Sequence, residues 1–268
     1  MSIPPGIGDR LLTIAQCLIG AVMIVTIANA ADPTPPLALE ATVALPNTSG
    51  RIDHLGIDLN RQRLYVAELG NGSVDVVDLV TRKVAHRISG LHEPQGVLYV
   101  QGSDLLAVAS GGDGTLRLFS ASDFASRGVV ALGHDADNLR IDPRDGNIVV
   151  GYGTGGLAIV DPAKAATVKA ISLPDHPEGF QVSANGLAYV NVPDGHLIAV
   201  ADLNSGRLVG NWATPKVSAN FPIAVGDRNT IAVVFRSPPR LVRLDRSGGR
   251  VMSENATCAD ADDVFFDV

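Results

Sequence analysis

Cysteine is almost missing from this chain of 268 residues: there are two, Cys17 and Cys258. Cys17 falls inside an apolar N-terminal run with no lipid-attachment context, so Cys258 is the only thiol expected in the mature protein. That excludes an intrachain disulfide framework, which a domain of this size does not need. Aromatic residues make up 4% of the sequence, with a single Trp, so a repeat built on one tryptophan per unit is excluded. Positive charge is in deficit. Lys and Arg number 21 against 28 Asp and Glu, a net charge of −7, and such a surface repels phosphate backbones. Nucleic acid is therefore not an expected partner. C-x-x-C-H, G-x-S-x-G and H-E-x-x-H are all missing, which removes covalent haem, a hydrolase nucleophile elbow and a zinc-protease helix from consideration.

What the chain does contain is a strand-rich unit repeated from Leu55 onward. Each unit opens on a turn and a short apolar strand: Asp53-His-Leu-Gly-Ile-Asp58, Glu93-Pro-Gln-Gly-Val-Leu98, Asp135-Ala-Asp-Asn-Leu-Arg-Ile-Asp142. The series runs on through His176-Pro-Glu-Gly-Phe180, Ala219-Asn-Phe-Pro-Ile223 and Asp260-Ala-Asp-Asp-Val-Phe-Phe-Asp267. With Gly56, Gly96, Asn138, Gly179, Pro222 and Asp263 taken as equivalent anchors, the spacings are 40, 42, 41, 43 and 41. Second, third and fourth strands follow in each unit, as in Arg63–Ala67, Ser73–Val77 and Lys83–Ile88, separated by Gly, Asn, Asp and Pro turns. A strand-built repeat of about forty residues is the signature of a β-propeller. The expected fold is all-β: four-stranded blades, five full repeats, and the start of a sixth, with repeats beginning near 55, 95, 137, 178, 221 and 262.

Both ends carry further expectations. Glu40-Ala-Thr-Val-Ala-Leu-Pro46 resembles Ala166-Thr-Val-Lys-Ala-Ile-Ser-Leu-Pro174 and reads as the outer strand of a final blade, supplied from the other end of the chain. The sequence stops after the first strand of the sixth unit, so the ring reads as incomplete; six blades would need roughly 25 more residues and seven roughly 65. Leu11 to Ile27 is an apolar run, and Ala28-Asn-Ala30 is an A-x-A cleavage site. Residues 1–30 are thus expected to be a signal peptide, 31–38 a Pro-rich linker and 39–268 the propeller, in a periplasmic or secreted protein with no stable membrane span once the leader is cut.

The candidate chemistry lies in the turn before each opening strand, because the innermost strands of a propeller line one channel and their turns meet at its mouth. The candidates are Asp53, His54, His92, Glu93, His134, Asp135, Asp137, His176, Glu178 and Asp262. Imidazoles and carboxylates around one rim can coordinate a divalent cation or bind a cationic or hydrogen-bonding small molecule. They are also turn formers, which six equivalent turns recruit for backbone reasons alone. Three other features read as structural. Gly151-Tyr-Gly-Thr-Gly-Gly156 fits a dinucleotide fingerprint, yet a strand follows where a helix is required, so it is a hairpin. Asp78, Asp161, Asp202 and Asp245 close third strands and start turns. His86 and His196 are expected on surface strands.

The ordered set Arg51-Ile-Asp-His-Leu-Gly-Ile-Asp58, Glu93-Pro-Gln-Gly96, Asp135-Ala-Asp-Asn138, His176-Pro-Glu-Gly179, Asn220-Phe-Pro222 and Ala261-Asp-Asp263 resembles the exported YncE-like, or YVTN-repeat, propellers from about residue 37 onward. The resemblance implies a seven-bladed parent, export and no settled catalytic motif. That fold is distantly similar to the haem-binding propeller of cytochrome cd1-type nitrite reductases and to lactonase-type propellers. Two functions stay open: a non-catalytic binding or scaffold protein for a protein partner or small ligand, and a metal-dependent, lactonase-like hydrolase or cofactor-binding propeller using the rim residues. A fragment without independent function is the third possibility.

Overall fold

The computed structural model describes residues 38–214, 216–227 and 229–266. The expected leader over 1–30, and all but the last residue of the linker over 31–38, lie outside them. Among the described residues, no helix is long and apolar enough to cross a membrane.

Residues 41–268 form one compact unit containing five four-stranded antiparallel sheets. The first blade is β1 (Leu55–Asp58), β2 (Arg63–Glu68), β3 (Ser73–Asp78) and β4 (Lys83–Ser89). The second is β5 (Pro94–Val100), β6 (Leu105–Ser110), β7 (Thr115–Ser120) and β8 (Ser126–Ala131). The third is β9 (Leu139–Ile141), β10 (Ile148–Tyr152), β11 (Gly156–Asp161) and β12 (Ala166–Ser172). The fourth is β13 (Phe180–Val182), β14 (Leu187–Val192), β15 (Leu197–Asp202) and β16 (Arg207–Ala213). The fifth is β17 (Ser218–Gly226), β18 (Thr230–Ser237), β19 (Pro239–Asp245) and β20 (Val251–Ala256).

The sequence pattern of each strand follows from its place. Second and third strands lie between neighbouring blades and are covered on both faces, so β10 (Ile-Val-Val-Gly-Tyr) and β11 (Gly-Leu-Ala-Ile-Val-Asp) are almost wholly buried runs without alternation. Fourth strands are edges. The exposed and half-buried residues of β16 alternate, and β20 is almost all exposed, which puts charge and polarity where another chain could otherwise add a strand. All five outer pairings carry a register shift at the same point of the third strand, at Val76/Val77, Leu118/Phe119, Ile159/Val160, Val200/Ala201 and Arg243/Leu244. Such a bulge raises the local twist and turns the edge away from flat pairing.

Apolar seams join successive blades. Tyr65, Val74 and Val76 meet Leu106 and Val108; Leu116 and Leu118 meet Ile148 and Val150. Leu157 and Ile171 meet Phe180 and Val190, and Tyr189 and Ile198 meet Ile231 and Phe235. Burying each large aliphatic side chain contributes roughly 1.5–3 kcal/mol. Close to the centre the blades approach so tightly that side chains are excluded. A Cβ on Gly96 would sit 2.1 Å from the Asp137 carbonyl oxygen, and one on Gly179 would sit 2.3 Å from that of Phe221. This contact is the physical reason for two of the anchor glycines.

The turn readings hold in detail. Asp78, Asp161, Asp202 and Asp245 each accept a backbone N–H from the turn they open, at 2.7, 3.0, 2.9 and 2.7 Å. Gly151–Gly156 is the β10–β11 hairpin, with Tyr152 paired to Gly156 and Gly153 at φ 64°. His86 is exposed on β4 and stacks on Phe124 at 4.5 Å. His196 departs from expectation: it sits in the β14–β15 turn at φ 51°.

The expected closing strand does not form. Residues 41–50 contain no strand. They are held to blade 1 through side chains instead: Arg87 donates to the carbonyls of Pro46 (2.8 Å) and Asn47 (3.3 Å), and Thr48 to Glu68. A ladder needs a partner strand, and none stands beside this segment among the described residues. Residues 257–266, where the sequence opens a sixth unit, likewise carry no strand.

Candidate functional site

Strand register redefines the repeat in blade 1. Leu55 pairs with Val66, Val97 with Val108, Leu139 with Val150 and Phe180 with Val190. The residue before each inner member of these pairs is therefore the equivalent one: His54, Gly96, Asn138 and Gly179. His54 takes the anchor place that the sequence assigns to Gly56. Gly56 lies inside β1, where a Cβ would come within 2.9 Å of the Val97 carbonyl oxygen. It is a glycine for a neighbouring reason, and that displaces the sequence alignment by two residues.

With the register corrected, Asp53, Asp137 and Glu178 are counterparts. Each donates its backbone N–H to the end of its blade's second strand, at Ala67, Gly151 and Asn191 (2.9, 3.0 and 2.9 Å). Ala67, Gly151 and Asn191 return a bond to the carbonyl of the next residue, His54, Asn138 and Gly179 (3.1, 3.0 and 3.1 Å). This double clamp fixes the turn and aims its side chain at the centre. Gln95 and Phe221 hold the same place in blades 2 and 5, and Asp262 holds it in the sixth unit by repeat spacing.

All six line one cavity of about 610 Å³. Around them stand Arg51, Asp135, His176 and Asp260 from the same turns, Arg140 and Gln181 from inner strands β9 and β13, and Arg236 from the end of β18. Apolar lining comes from blade 5 and the C-terminal segment, at Pro222, Ile223, Val264 and Phe265, and from Ile52. The expected candidates therefore divide. Asp53, His54, Asp135, Asp137, His176, Glu178 and Asp262 come together, whereas His92, Glu93 and His134 are exposed and outside the lining. Those three contribute backbone: Gly112 donates to the His92 carbonyl (3.1 Å), Gly111 to Glu93 (2.9 Å) and Gly153 to His134 (2.9 Å). Glu93 shares a left-handed conformation with its counterpart Asp135, φ 50° and 55°, so that conformation does not decide which of the two side chains enters the cavity.

Charge inside the cavity is unevenly compensated. Arg51 pairs with Asp53 at 2.7 Å, and Arg236 pairs with Asp260 (3.2 Å) and Asp262 (2.7 Å) while lying 4.1 Å from the Phe221 ring centre. Asp135 accepts from Gln95 at 3.1 Å and stands 3.6 Å from His176 Nδ1. That nitrogen lies 2.6 Å from the Gly153 carbonyl oxygen; since a carbonyl only accepts, Nδ1 carries the proton. Asp137 is 7% exposed. Its Oδ2 accepts from Asn138 at 2.9 Å, but its Oδ1 is buried without a hydrogen-bond partner, His54 Nε2 standing 3.4 Å away out of alignment.

The electrostatic consequences are visible in the titrating groups. Burial pushes the Glu178 carboxyl up to about 7, helped by the charges of Asp137 and Asp135 against the opposing pull of His176 and His54. Burial also raises Asp53, with Asp137 adding to it and His54 and Arg51 opposing. For His54, burial disfavours the cation, yet the carboxylates of Asp137 and Asp53 outweigh it and lift the pKa above that of a free imidazole. Arg140, beside Phe180 and donating to the Leu139 carbonyl at 2.7 Å, is pulled below the ordinary guanidinium value by burial.

A divalent cation does not suit this donor set. Among the described residues no three His, Cys, Asp or Glu side chains stand together closely enough to hold a metal ion. Two of the imidazoles expected at the rim, those of His92 and His134, are outside the cavity.

Comparison with known proteins bears on the fold. Hydrazine synthase from Kuenenia stuttgartiensis superposes with a TM-score of 0.68, covering 80% of this chain and 68% of that one at 18% identity. Together with five four-stranded sheets whose inner turns share one mouth, this decides the architecture. The fold is a β-propeller. At that identity the likeness is one of fold alone, and the propeller carries many chemistries. No protein-family model matches the chain, and no curated protein does.

Proposed function

We propose that this chain is an exported, YncE-like β-propeller that binds a small polar ligand at its channel mouth without chemically transforming it. The observation that carries the reading is the cavity itself. Turns of all five blades and the C-terminal segment contribute to it, and its volume falls within the range of small-molecule sites, about 300–1,000 Å³. Among the described residues the cavity lining contains no Ser, Thr, Cys, Tyr or Lys, which favours binding over hydroxyl, thiol or amine nucleophilic catalysis. The only described cysteine, Cys258, is exposed and outside the lining. Export is supported by the apolar run Leu11–Ile27 followed by Ala28-Asn-Ala30, and kinship with YncE-like propellers by the ordered turn motifs.

The test is a thermal-shift panel of cationic, anionic and neutral small molecules on the wild type and on Gln181→Trp, whose indole would occupy the mouth. One class should raise Tm in the wild type, by the equivalent of about 2.7 kcal/mol at a hundredfold excess over Kd, and should fail to do so in the variant. A flat panel, or a shift that survives Gln181→Trp, refutes the reading. N-terminal sequencing of the exported protein should find a start after Ala30.

A further inference from the structure

We infer that the ligand of the channel mouth is a primary alkylammonium ion, held through its N–H donors by Asp137 and Glu178 with its carbon chain against the blade 5 wall. The inference rests on the proposed binding function and specifies its ligand class. It starts from position: of the six equivalent inward places, four are carboxylates, Asp53, Asp137, Glu178 and Asp262. The whole lining sets seven carboxylates against three guanidinium groups. Two of those guanidiniums are already committed, Arg51 to Asp53 and Arg236 to Asp260 and Asp262. That leaves Asp135, Asp137, Glu178 and Asp263 facing one further guanidinium, Arg140, and the imidazoles of His176 (3.6 Å from Asp135) and His54 (3.4 Å from Asp137). The lining thus keeps an excess of carboxylate, in which Asp137 and Glu178 hold equivalent inward places.

An acidic rim alone would be ordinary solvated surface. Asp137 makes it more than that: the residue is 7% exposed and its Oδ1 makes no hydrogen bond, with only His54 Nε2 at 3.4 Å beside it, a costly arrangement that a donor from a ligand would relieve. A charged donor makes the shorter and stronger bond. The cavity is far larger than an ion, and a metal requires several ligands converging within about 2.0–2.6 Å, which this set does not supply. An ammonium group needs only separate acceptors. Phe221, Pro222, Ile223 and Val264 supply apolar surface for the attached chain.

The experiment is calorimetric titration at pH 8 in about 0.15 M salt, where loose surface attraction is screened. It uses three probes with the same five-carbon chain: cadaverine, pentanediol and glutarate, with calcium chloride as a fourth. Cadaverine alone should bind, at one per chain. Asp137→Asn and Glu178→Gln should each weaken it at least about tenfold, with folding checked by circular dichroism. Asp145→Asn, which removes the same charge from an exposed outer turn, should bind as the wild type does. Binding of pentanediol, glutarate or calcium in place of cadaverine overturns the amine assignment and leaves the mouth a ligand site. Cadaverine binding indifferent to Asp137→Asn and Glu178→Gln, or weakened equally by Asp145→Asn, also overturns it. Binding of no probe, together with a flat thermal-shift panel, removes both readings.

Discussion

Replacing Glu178 by glutamine should make the protein more stable above neutral pH and change little near pH 4.5. In the unfolded chain this carboxyl loses its proton around its ordinary value of 4.5, whereas in the folded protein it does so at about 7. Between those values the folded state holds a proton that the unfolded state has released, so raising the pH through the window weakens the fold; above about 7 the penalty is constant. At 1.36 kcal/mol per pK unit the full penalty is about 3 kcal/mol. The groups facing Glu178 are Asp137 and Asp135 from blade 3, His54 from blade 1 and His176 from its own turn. Glutamine keeps the shape and cannot ionise, so the variant escapes the penalty. For a domain of this size, about 2–4 °C per kcal/mol, its Tm advantage should grow by about 6–12 °C between pH 4.5 and 8. Parallel melts of the two proteins across that range give the answer. An advantage that does not change with pH, a wild type more stable at pH 8, or a carboxyl titration by NMR centred near 4.5 would refute the reasoning.

Gly96→Ala should destabilise by several kcal/mol, measured by urea unfolding, since its Cβ would meet the Asp137 carbonyl oxygen at 2.1 Å and backbone cannot retreat cheaply. Gly102→Ala, with nothing within 4 Å, should be nearly neutral. Arg87→Met should cost about 3–5 kcal/mol at pH 7, because Glu68 and Asp75, both 0% exposed, would lose their shared cation; a cost under about 1 kcal/mol would contradict the burial. Asn191→Leu should cost about 2 kcal/mol, leaving the Phe221 carbonyl and the Asn220 amide without the bonds they make to it at 2.8 and 2.9 Å.

Much of the architecture was legible because strands and turns are local. Apolar runs such as Ile148–Tyr152, the hairpin glycines of 151–156 and the turn-opening aspartates each carry their reason within a few residues. The site was legible only in part. Counting back from the anchors gives Asp137 and Glu178 the same place that strand register gives them, but it counts Asp53 from Gly56, a glycine demanded by Val97 of the next blade. Matching the second strands Tyr65-Val-Ala67 and Tyr189-Val-Asn191 would have set the register. Arg140 was findable as a charge within a three-residue inner strand. Arg236, which ends an apolar strand like any edge arginine, left no signal.

By itself the sequence determined a repeated four-stranded unit, its turns and an acidic rim, because period, propensity and turn chemistry act over a few residues. Only the tertiary structure decided which rim residues share a cavity. Glu93 holds the same place before its anchor as Asp135 and His176, and His92 and His134 stand one residue earlier, yet none of the three lines the cavity. The unpartnered oxygen of Asp137 lies in a cavity lined by every blade, and the raised pKa of Glu178 comes from burial there together with the Asp137 and Asp135 charges of the neighbouring blade, so no single segment contains either.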